Sequence, residues 1–151
     1  MAFICGSLYL MNETVLSKLS RRLQLLLRIF GIVCVLAVVP LIMPARFLSI
    51  VHQRLGLGPF PLAPIADYLA RSVSALCAFY GGLLLLLATD VQRFGPVIRY
   101  QALAIMVLSA FGIVAGTRAG LPTIWVAVDA LGCWIFLVPI YLLSLRIRAR
   151  L

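Results

Sequence analysis

Residues 123–145, TIWVAVDALGCWIFLVPIYLLSL, form an apolar run broken by a single charged side chain, Asp129. A helix needs about 20 mainly apolar residues to cross the hydrocarbon core of a bilayer, whereas strands and the helices of small soluble domains are shorter. The stretch is therefore predicted to span a membrane as a helix. Pro122 stands before it, where proline suits a helical first turn, and Arg146, Arg148 and Arg150 follow it, where cations suit the membrane–water boundary.

Three more runs of this kind lie upstream. They cover about 23–43, with Arg28 near its start and Pro44 at its end, 65–88, and 97–117. The links between them are short, so consecutive helices are expected to be antiparallel neighbours. The chain of 151 residues is 64% hydrophobic and 11% charged, with a mean hydropathy of +1.16. Ordinary soluble domains carry about 45–50% apolar and about 25% charged residues, so this composition falls outside that class. It excludes a disordered chain and a disulfide scaffold as well. The expected fold is an all-α membrane protein: a four-helix transmembrane bundle over residues 23–145, between an N-terminal segment (1–22) and a basic tail (146–151).

The 13 Lys and Arg outnumber the 4 Asp and Glu, giving a net charge of +9. Their placement reads as membrane orientation, not as a nucleic-acid surface. Nine of them (Lys18, Arg21, Arg22, Arg28, Arg93, Arg99, Arg146, Arg148 and Arg150) belong to the two termini and the 89–99 link, and four (Arg46, Arg54, Arg71 and Arg118) to the other side. The bias of cations toward the cytoplasm then puts both termini inside. No basic stripe is left to follow a phosphate backbone, so no nucleic-acid partner is expected.

Residues 1–10 (MAFICGSLYL) lack the basic start and the cleavage site of a signal peptide. Both Met1 and Met11 are candidate starts, since Asn12 would cap a helix beginning at Glu13. The four cysteines, Cys5, Cys34, Cys77 and Cys133, form no CxxC pair and have no metal-ligand spacing.

The first external loop, 44–64, has two parts. In 45–55 (ARFLSIVHQRL), Phe47, Leu48, Ile50, Val51 and Leu55 share one helical face with Ser49, His52 and Gln53 opposite, the pattern of a short interfacial helix. GLGPFPLAP, with two Gly and three Pro, is expected to be stiff and non-helical, serving as a connector or as a lid.

The polar signal inside the spans is ionic. Arg71 and Asp129 each lie seven residues after a proline, Pro64 and Pro122, on helices entering from the same side. That spacing places both roughly 10 Å along their helices. A charge among lipid tails costs at least about 2.5–3.5 kcal/mol on insertion scales and faces the bundle interior by default. Three arrangements are open: Arg71 pairs with Asp129; Arg71 pairs with Asp67 at i,i+4, leaving Asp129 to Tyr68, Ser72 or water; or the two form the floor of a cavity for a small molecule or lipid headgroup, with Arg118 adding to it. Helix contacts are expected at small residues, Ala66, Ala70, Ser74, Ala78 and Gly82 at four-residue spacing and Gly112, Gly116 and Gly120 as a double GxxxG, against neighbouring helices or another protomer.

Groups for catalysis are few. There is one Glu, one His, and no metal, phosphate-loop or nucleophile motif, so neither an enzyme nor a cofactor is expected. No helix carries the repeated polar face of a pore, and the halves show no repeat.

The stretch from ARSVSALCAFYGGLLLLL (70–87) through the Arg93–Arg99 link to AGLPTIWVAVDALG (119–132) resembles an uncharacterised family of bacterial four-helix integral membrane proteins, loosely DoxX-like. The matching features are the Arg and small residues before Tyr80-Gly81-Gly82, the basic link, the Ala119–Pro122 turn and the acid in the fourth helix. The resemblance implies a bacterial inner (plasma) membrane and a compact four-helix bundle, and supplies no activity. Some DoxX relatives are associated with quinone-linked sulfur oxidation, for which this chain shows no dedicated residues. The expected function is that of a non-enzymatic interaction or accessory subunit in the lipid bilayer, with a membrane-protein partner or a homo-oligomer. The alternative is a small-molecule, lipid or quinone-binding protein with its site at Arg71 and Asp129.

Overall fold

A computed structural model describes residues 2–56, 58–61 and 63–149, with side chains from residue 13 onward. The expectations for Met1, for the Cys5 and Asn12 side chains and for Arg150 lie outside what is described. Six helices and no strand are present among them: α1 (Ala2–Val35), α2 (Val38–Ile42), α3 (Ala45–Arg54), α4 (Pro64–Leu87), α5 (Gly95–Arg118) and α6 (Thr123–Arg148). Four stretches are long and apolar enough to cross a membrane: Glu13–Ile42, Pro64–Leu87, Gly95–Arg118 and Thr123–Arg148. The all-α class and the number of spans are those expected. Only 11–22% of each span's apolar window is buried, so most of its surface is left for lipid or another chain.

Two boundaries differ from expectation. The first helix does not start at Glu13 but runs through it from Ala2. Val15, Leu16, Leu19, Ser20, Leu23 and Leu27 keep one covered stripe at helical spacing across residues 13–27, so the apolar face continues into the charged segment. The span is also interrupted. Pro40 has no N–H for the Leu36 carbonyl, which instead takes the Val39 N–H at 3.0 Å, while Ala37 N–H bonds Cys34 at 3.1 Å. These i→i−3 bonds tighten the chain into a turn between α1 and α2, leaving Pro40 in a first turn where no donor is required.

The chain divides into two compact units, Met1–Arg28 with Leu86–Leu151, and Ile29–Leu85. In the first, α5 and α6 pack as an antiparallel pair. Their junction is a Schellman turn: Leu121 N–H bonds the Gly116 carbonyl at 3.1 Å and Gly120 N–H bonds Thr117 at 3.2 Å. Gly120 takes φ 74°, a left-handed conformation that a side chain resists, and Pro122 bars any continuation. Buried side chains gather toward the other end of the pair, at Ile98, Gln101 and Ala102 of α5 and Leu137, Ile140, Ser144 and Ile147 of α6. Leu23 and Leu27 of α1 are buried as well.

In the second unit, α1 and α4 meet backbone to backbone. A Cβ on Gly81 would lie 2.6 Å from both the Gly31 carbonyl oxygen and the Val35 nitrogen, and one on Gly31 would lie 3.0 Å from the Gly81 carbonyl. Beside this crossing, Phe30 packs edge-on to Tyr80 with ring centroids 6.3 Å apart.

Candidate functional site

The polar centre of the second unit is built by a helix break. Pro44 disfavours helical geometry at the residue before it, and Met43 accordingly adopts φ −67° and ψ 135°. α2 therefore ends with carbonyls of Leu41 and Met43 that no backbone donor reaches among the described residues. Arg71 of α4 takes two of them, donating Nη1–H to Leu41 at 2.8 Å and Nη2–H to Met43 at 3.2 Å. Its Nε–H donates to Asp67 Oδ2 at 2.9 Å. A planar guanidinium with five N–H groups can serve three acceptors in this way, which the point charge of a lysine cannot.

Arg71 is thus paired with Asp67, one turn away on its own helix. Asp67 also stands in the first turn of α4, where the helix dipole favours a negative charge. Its second oxygen, Oδ1, is buried without a hydrogen bond among the described residues. All these partners come from within the unit, so the arginine acts as a clamp tying the end of α2 to α4. Tyr68, expected nearby, is 65% exposed and contributes no hydrogen bond among the described residues.

The loop between α2 and α4 lies in the same unit. α3 runs Ala45–Arg54, within the predicted 45–55. Its Phe47, Ile50, Val51 and Leu55 face are exposed, while Leu48, Ser49 and His52 are half-covered. An apolar face turned outward is what an interfacial helix presents to lipid. Gly56 and Gly58 take φ 79° and 76°, turning the chain back over the helix. His52 Nδ1–H then donates to the Gly58 carbonyl at 2.9 Å, and its ring meets Phe60 edge-on at 5.3 Å. The sole histidine holds the loop closed.

Asp129 belongs to the first unit. Six residues after the start of α6, it sits about 9 Å along that helix. Its side chain is exposed, and no hydrogen bond or ion pair reaches it among the described residues of its unit. Three residues on, Gly132 is also exposed, and a Cβ there would meet nothing within 4 Å. Arg118 is exposed at the last turn of α5 and likewise has no such partner there.

The expected packing residues separate into two groups. Gly116 is buried, its Cβ position 2.9 Å from Val126, and Ala70, Ser74 and Ala78 are half-covered. Gly82 and Gly112, by contrast, are exposed with nothing within 4 Å, so neither is a close-approach point in this chain. The close approach belongs to Gly31 and Gly81, which the four-residue ridge did not include; a one-residue step turns a helix by about 100°. Two polar features also went unread. Trp134 Nε1–H donates to Ser109 Oγ at 2.6 Å, joining α6 to α5. Gln101 is buried in α5, its Oε1 without a hydrogen bond among the described residues, and an isolated amide in an apolar run was its only signal.

Among the described residues, no three His, Cys, Asp or Glu side chains converge as metal ligands. No protein-family model, curated protein or solved structure matches the chain.

Proposed function

We propose that this chain is a non-enzymatic accessory subunit of a bacterial inner membrane, engaging another membrane helix through the Asp129 face of α6. One observation carries the proposal. Asp129 stands exposed in a span without a partner in its unit, beside the open surface at Gly132. A carboxylate left among lipid tails costs several kcal/mol, a cost that a donor on a neighbouring helix offsets. Arg71, the cation that would have completed a ligand site with it, already serves Asp67 and two carbonyls. The DoxX-like affiliation is part of the same proposal.

Gently extracted full-length protein, weighed by native mass spectrometry, tests the partner. The expected species is a complex with a second polypeptide or a second copy. Asp129→Leu is expected to weaken it about three- to thirty-fold, the range of interhelical polar contacts in membranes. An undiminished complex would remove Asp129 from the interface. A stoichiometric small molecule lost on Asp129→Asn would favour the ligand-binding alternative.

Both termini are proposed to be cytoplasmic. In a cysteine-free background, Cys at His52 is expected to react with an impermeant maleimide from outside, and Cys at Arg93 only after permeabilisation. The reverse pattern would invert the orientation.

A further inference from the structure

The first unit carries a groove that is separate from Asp129. It has a volume of about 440 Å³ and is lined by Arg22 of α1 and Arg146 of α6. The rest of its lining is Leu25 and Leu26 from α1 and Leu142, Leu143 and Pro139 from α6. Each arginine precedes or follows its leucines by about one helical turn, so both cations stand at one end and the apolar lining extends roughly 10 Å from them to Pro139. No acidic side chain lines the groove. Neither arginine has an ion-pair or hydrogen-bond partner among the described residues. Arg146 also borders a second hollow with Val15, Leu19 and Ala149, residues that lie beyond the two cations along their helices, away from the four leucines.

We infer that this groove binds one anionic phospholipid, its phosphate between Arg22 and Arg146 and the upper part of an acyl chain along the four leucines. The charge and the lining argue together. Two unpaired guanidiniums at the edge of a span attract a phosphate and offer it forked donors. The leucine walls begin one turn deeper, where the hydrocarbon of a lipid begins. A soluble phosphate would use the cations and leave the walls empty, and a neutral lipid would use the walls and leave the cations unanswered. The hollow on the far side of Arg146 leaves room for the remainder of the headgroup.

The test counts lipids on the delipidated full-length chain by native mass spectrometry, after mixing with equal amounts of phosphatidylglycerol and phosphatidylcholine of matched chains. The wild type is expected to prefer phosphatidylglycerol, and Arg22→Gln with Arg146→Gln to reduce the preference roughly 30-fold, the effect of two cations near an anionic headgroup. Arg21→Gln with Arg148→Gln removes equal charge near the same ends without touching the groove, and is expected to leave most of the preference intact. Leu142→Trp changes no charge but fills an exposed wall, and is expected to lower phosphatidylglycerol binding. Should the double glutamine variant fail to fold, Arg22→Lys with Arg146→Lys keeps the charge and is expected to retain preference at reduced affinity. Equal losses in the two glutamine pairs would reduce the effect to bulk charge and overturn the site. Displacement of the lipid by excess inorganic phosphate, or an unaffected Leu142→Trp, would also overturn it.

Discussion

Gly81→Ala is expected to destabilise the protein by about 1–3 kcal/mol, the range for forcing extra atoms into a packed contact. The new methyl would lie 2.6 Å from two backbone atoms of α1, the Gly31 oxygen and the Val35 nitrogen, and 2.9 Å from Cys34 Cβ. Backbone atoms cannot rotate aside as a side-chain tip can, so the two helices must separate. The neighbouring substitution is the control. Gly82→Ala meets nothing within 4 Å and is expected to be neutral, or to stabilise by up to about 1 kcal/mol through helix propensity. Thermal unfolding of the two purified variants in one detergent checks the pair. A Gly81→Ala protein that melts no lower than Gly82→Ala would contradict the crossing.

Arg71→Met is expected to be the most damaging change at any charged position in the second unit. It removes the donor to Asp67 and the donors to Leu41 and Met43 together. What remains is an acid beside apolar surroundings and two carbonyls at a helix end without donors, each a destabilising loss. Arg71→Lys is expected to be intermediate, because an ammonium lacks the fork needed for three separated acceptors. Asp67→Asn, which still offers an acceptor oxygen, is expected to be milder than Arg71→Met. Yield of folded, monodisperse protein after extraction ranks these variants. The same ranking separates a structural clamp from a ligand site, since a residue kept only to bind ligand could be replaced without loss of folded protein.

The spans were legible because each apolar run is as long as a bilayer is thick, and length alone separates such runs from core helices. The Arg71–Asp67 pair was legible only as one of three open arrangements, since i,i+4 spacing puts both on one helical face but does not decide between Asp67 and Asp129. The carbonyl partners of Arg71 were not. They exist only because Pro44 ends α2 where the fold brings α4 past it, a relation of residues about 30 apart in sequence. The helix contacts were legible in kind but not in place. Small residues recur through these helices, and spacing alone cannot tell which stripe meets a neighbour, so Gly82 was read where Gly81 packs. Asp129 was conspicuous as the one charge in its span, but an exposed acid and a paired one have the same sequence.

The stability of the second unit and the openness of the Asp129 face lead to different kinds of biology. Arg71, Asp67, Gly31 and Gly81 hold the chain's own helices, and their loss is expected to lower folding whatever the protein does. Asp129 and Gly132 contribute little to their own unit's packing and remain available to another chain. The most direct measurement is photocrosslinking in intact membranes, with a photoreactive side chain at Gly132, where a Cβ meets nothing, and a control at Leu131, which is 63% exposed on another face of α6. A discrete protein adduct from position 132, absent from 131 and diminished by Asp129→Leu, is the result this account predicts. Lipid adducts alone from both positions, with no protein captured at 132, would contradict it.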